Sequence, residues 1–89
     1  MAALVGYNQG SERLRSGQTA AAIESLERAY ALDPASPAIR GNLLAALNNE
    51  AVKLQRQGAS ASARGLLERC RQIAPGDALT AENLARLGR

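Results

Sequence analysis

Few residues of this chain could do covalent or acid–base chemistry. It has one thiol, Cys70, and no histidine among 89 residues. A thiolate is a nucleophile, and Arg69 and Arg71 beside Cys70 would favour that form. No imidazole is present to take the proton. Leu66, Leu67 and Ile73 lie at helical spacing around the thiol. Cys70 is therefore expected as a small buried core residue. A single cysteine cannot close an intramolecular disulfide, which sets aside a stapled secreted module. The carboxylates do not cluster as acid–base pairs or metal ligands must. Asp33 and Asp77 stand beside prolines at helix junctions, where capping accounts for them. The chain is read as no enzyme, with no cofactor and no metal site.

The elements that would position these residues are helices. Phe and Trp are absent and β-branched residues are scarce, so the core must come from Leu, Ile, Val and Ala. Five helices are expected. The first runs from about Ala2 to Arg15 and stops at Ser16-Gly17. The second runs from about Gln18 to Leu32, with Ala22, Ile23, Leu26, Ala29 and Tyr30 in one apolar stripe. Asp33-Pro34 breaks it. Ser36 and Pro37 suit the N-cap and first position of a third helix. That helix reaches about Gln57, with Leu43, Leu47, Ala51 and Leu54 on one face and Gly58 as its stop. The fourth spans about Ala61 to Ile73. Asp77 caps a fifth that ends near Leu87. The short loops fold successive helices back antiparallel.

The net charge is +3, from 11 basic and 8 acidic residues. The two signs are interspersed, as on solvated helix faces. A nucleic-acid footprint needs clustered cations and often stacking aromatics, so no nucleic acid is expected. No segment approaches the roughly 18 apolar residues of a membrane span, and no membrane is expected. Met1 to Gly6 lacks the basic start and apolar run of a signal peptide. The reading is a cytoplasmic chain, or a domain excised from a longer one.

The helix pairs repeat. Arg15 to Pro34 aligns with Arg56 to Pro75 at a constant offset of 41, as from Gly17 to Gly58 or Leu26 to Leu67. Gly17, Ala22, Leu26, Ala29 and Pro34 recur as Gly58, Ala63, Leu67, Cys70 and Pro75. Asn8-Gln9, Asn42-Leu43 and Asn83-Leu84 take corresponding places on the intervening helices. From Asn8 to Asn42 is 34 residues, and from Asn42 to Asn83 is 41. The second copy has therefore gained seven residues, between Asn42 and Gly58. Seven residues are about two turns, so the apolar face survives and the third helix gains about 10 Å.

On these residues the chain resembles the tetratricopeptide repeat family, whose unit is a helix–turn–helix of about 34 residues. The resemblance implies an all-α fold of antiparallel helix pairs stacked as a short right-handed solenoid. It implies a single domain over 1–89. Repeat one covers about 3–36 and the enlarged repeat two about 37–77. Residues 78–89 form a capping helix or the start of a third repeat. It also implies a scaffold that binds a protein or peptide in a concave groove, with a self-assembling homo-oligomer or an accessory domain of a larger protein as the alternative. The groove positions implied are Leu4, Tyr7, Ser11 and Arg15 on the first helix. On the third they are Ala38, Gly41, Ala45, Asn48 and Asn49, and on the fifth Leu79, Glu82 and Arg86. Asn48-Asn49 stand out there, because side-chain amides can hydrogen-bond an extended peptide backbone. Some relatives clamp a C-terminal carboxylate with Lys, Asn and Arg at such places. Only Arg86 is of that type among the corresponding positions, so no carboxylate clamp is expected.

Overall fold

The computed structural model describes residues 19–88. The expected first helix, its stop at Gly17 and the groove positions Leu4, Tyr7, Ser11 and Arg15 lie outside them. The described residues form four α-helices and no strand: α1 Thr19–Leu32, α2 Pro37–Arg56, α3 Ser60–Ile73 and α4 Ala78–Leu87. Each begins and ends within one or two residues of its expected bounds. α2 is one uninterrupted helix of 20 residues, against 14 for α1 and 14 for α3. The stretch in which the sequence places a seven-residue excess is therefore helical as far as Arg56.

The chain divides into two compact units, Met1–Ala46 and Leu47–Arg89, with the boundary inside α2. In the first, α1 buries Ala22, Leu26 and Ala29, and the start of α2 buries Ile39, Leu43 and Ala46. In the second, Ala51 of α2 meets Ala63 and Leu67 of α3, and Leu84 and Leu87 of α4 pack against that cluster. The buried positions of α1 and α3 stand 41 residues apart: Ala22 and Ala63, Leu26 and Leu67, Ala29 and Cys70.

The loops repeat bond for bond at the same offset. After α1, Asp33 N–H donates to Ala29 O at 3.0 Å and Ser36 N–H to Asp33 O at 3.3 Å. After α3, Ala74 N–H donates to Cys70 O at 2.8 Å and Asp77 N–H to Ala74 O at 3.1 Å. Both following helices are capped by a side chain. Ile39 N–H donates to Ser36 Oγ at 3.3 Å, and Thr80 N–H to Asp77 Oδ2 at 2.9 Å. Such caps satisfy amide groups that the first helical turn leaves without partners.

The end of α2 uses different chemistry. Gly58 takes φ 84°, a left-handed conformation that a side chain disfavours. Ala59 N–H then reaches Leu54 O at 2.8 Å and Gly58 N–H reaches Gln55 O at 3.0 Å. This is the Schellman pattern, and it fixes where the longest helix stops.

Candidate contact face of the second helix

The later turns of α2 have a buried side and an exposed side. Residues 48, 51 and 55 recur on one side, and 49, 53, 56 and 57 on the other. Asn48 and Ala51 are buried, while Asn49, Lys53, Arg56 and Gln57 are exposed and Val52 is half-buried between them.

The inner side holds a polar network that the sequence reading did not place. Asn48 is 2 % exposed, as is Asn83 of α4. Asn83 Nδ2 donates to Asn48 Oδ1 at 2.9 Å. Asn48 Nδ2 donates to Thr80 Oγ1 at 3.3 Å and lies 3.6 Å from Cys70 Sγ. Thr80 Oγ1 in turn donates to Asp77 Oδ2 at 2.7 Å, the oxygen that also caps α4. No buried side-chain polar atom among the described residues lacks a partner. A buried amide left unmet would cost the full desolvation of the group, so these bonds hold α2, α3 and α4 in one register.

Asn48 is thus corrected from a groove residue to an interior one. Its amide faces Thr80 and Asn83 and is not presented to solvent. The signal was available in the periodicity, since Asn48 sits three residues before the core residue Ala51. Two further differences between the copies point the same way. Cys70 and Thr80 stand where the first unit has the apolar Ala29 and Ile39. Both are the residues Asn48 reaches.

Cys70 is buried within this network. Burial pushes its thiol above the ordinary value, and the Asp77 carboxylate adds to the rise. The Thr80 hydrogen bond and Arg69 pull the other way without reversing it. A thiol held protonated is a poor nucleophile. Among the described residues no group of three or more Cys, Asp or Glu side chains is placed to hold a metal ion.

The outer side lines an open depression of about 490 Å³, formed among the described residues by Asn49, Val52, Lys53, Arg56 and Gln57. Of the expected groove positions, Asn49 is exposed and lies beside this depression. Gly41 is exposed on α2, Ala45 is half-buried, and both belong to the first unit. Arg86 is exposed on α4 and pairs with Glu82 at 3.2 Å. Ala38 and Leu79 are exposed as well. Val52, Lys53, Arg56 and Gln57 were not singled out by the sequence, because exposed polar residues near a helix end carry no distinctive pattern.

A second depression of about 420 Å³ lies at the turn between α3 and α4, lined by Arg71, Pro75, Asp77, Ala81 and Leu84. Its arginine already pairs with Glu68 at 3.3 Å and its aspartate caps α4. It offers no set of convergent groups.

No helix among the described residues is long and apolar enough to cross a membrane. Compared with known proteins, the chain matches no family model, no curated protein and no solved structure.

Proposed function

We propose that this chain is a protein-interaction scaffold of the tetratricopeptide-like kind, in which helix pairs stack as a short right-handed solenoid. The loops of the two copies, equal bond for bond, favour a repeat built from one helix–turn–helix plan. The reading is of a binder and not an enzyme. The one thiol is buried, and the sequence holds no histidine to take its proton.

The observation that carries the reading is the outer face of α2. The seven added residues lengthen this helix where Asn49, Val52, Lys53, Arg56 and Gln57 surround an open depression. The core needs only the opposite side. A partner laid along this face would meet two amides, two cations and a valine. Self-association has weaker support. The exposed leucines Leu32 and Leu79 stand singly, and isolated surface leucines are ordinary.

The test is selection of a random peptide display library on the immobilised chain. Peptides should enrich over bare support, and their binding should weaken in the Asn49→Ala variant. No enrichment, or binding indifferent to Asn49, would remove this reading.

A further inference from the structure

We infer that the contacts of Asn48 with Thr80 and Cys70 are a pairing key. They seat α4 and α3 beside α2 and reject the equivalent helices of the first copy, so that two near-identical copies do not exchange helices. The repeat itself creates the need. The buried Ala22 and Leu26 of α1 recur as the buried Ala63 and Leu67 of α3. Asn42-Leu43 at the start of α2 recurs as Asn83-Leu84 in α4, at the same offset of 41. Burial of apolar surface is non-directional. Faces this alike cannot by themselves tell α4 from the start of α2, or α3 from α1. Exchange of equivalent elements, within a chain or between two chains, is a characteristic failure of repeat proteins.

The copies differ where the Asn48 amide reaches. Thr80, 1 % exposed, takes the place of Ile39, 4 % exposed. Cys70 takes the place of Ala29, and both are fully buried. Asn48 Nδ2 donates to Thr80 Oγ1 at 3.3 Å and lies 3.6 Å from Cys70 Sγ. A helix with isoleucine in the Thr80 place would set hydrocarbon against that amide. A helix with alanine in the Cys70 place would remove the sulfur. Each exchange takes an acceptor from an interior donor, and that loss costs more than the bond contributes when made. The key therefore works mainly by penalising the wrong helix. A single buried asparagine sets register and partner number in coiled coils by the same penalty.

Other differences between the copies do not serve this way. Leu66 and Leu87 stand where the first copy has Ser25 and Ala46, but both leucines are half-buried and carry no directional group. Asn83 bonds Asn48 Oδ1 at 2.9 Å, yet the first copy has Asn42 in its place. Asn83 thus completes the network without telling the copies apart.

The experiment compares the native chain with two variants after unfolding in urea and refolding at several concentrations. Asn48→Leu/Cys70→Ala/Thr80→Ile/Asn83→Leu replaces the whole network with hydrocarbon. Asn48→Leu/Asn83→Leu is milder, because Thr80 Oγ1 keeps its bond to Asp77 Oδ2. Replacing all partners together leaves no amide unmet, so urea midpoints should stay level or rise. Pairing should nevertheless lose its uniqueness. Exchange within a chain appears as a second set of amide signals for Ala78–Leu87, and exchange between chains as a dimer by light scattering that persists on dilution. Together these forms should rise about tenfold or more over the native chain. Variants that keep one set of α4 signals and the native dimer fraction would overturn the pairing key. A native chain as exchanged as its variants would overturn it too. Loss of folding in both variants would assign the network to stability alone and overturn it as well.

Discussion

Asn48 and Asn49 are neighbours in sequence and have opposite fates. One amide is enclosed by Thr80 and Asn83; its neighbour faces solvent. Replacing Asn48 with Ala would strand the Asn83 amide and remove the donor to Thr80. The expected loss of stability is about 1–3 kcal/mol, read from urea unfolding. Asn49→Ala should change stability by no more than about 0.5 kcal/mol. Equal effects would contradict the placement of the two amides. The sequence made the pair conspicuous but could not assign sides, because both residues are polar and only packing against α3 and α4 separates them. The thiol was more legible, since Leu66, Leu67 and Ile73 around Cys70 already marked it as interior.

Cys70 carries a pH prediction. Its thiol is raised in the folded chain, so as pH rises the unfolded chain loses this proton first. The unfolded state then binds fewer protons than the native state, and stability falls. The contribution is complete below the ordinary thiol range, near pH 8.5, and declines as pH climbs through the raised value. Urea midpoints from pH 7 to 10 should show this decline in the native chain and a shallower one in Cys70→Ala. Ala is the residue of the first copy at that place, Ala29. Identical slopes would refute the linkage.

Among the elements, α2 departs most from the plan of its neighbours. Its start is legible from Ser36-Pro37 and its stop from Gly58. Its length was legible from the seven-residue excess between Asn42 and Gly58. The sequence left open which face of those extra turns is enclosed, since Asn48 interrupts an otherwise apolar side. Glycines in this helix and at its end test the account of its geometry. At Gly58, φ 84° makes Gly58→Ala strained despite open space around the added methyl. A loss of about 1 kcal/mol is expected. At Gly41, mid-helix, a Cβ meets nothing within 4 Å. Gly41→Ala should instead stabilise by about 0.5–1 kcal/mol. Thermal melts of the two variants should move in opposite directions, and a shared direction would contradict the assigned stop.

For the whole molecule, the repeat was the most legible feature. Offsets of 41 in the sequence become equal loop bonds and equal buried positions. The proposed contact face was the least legible. Its cations and amides look like any solvated helix end until the depression around them is seen. The most direct test of an interaction scaffold working through α2 is an amide-shift map of the labelled chain titrated with a display-selected peptide. The account predicts saturable shifts concentrated at Asn49, Val52, Lys53, Arg56 and Gln57, with little change along α3. Shifts centred on α3 or at the turn before α4, or none at saturating peptide, would contradict it.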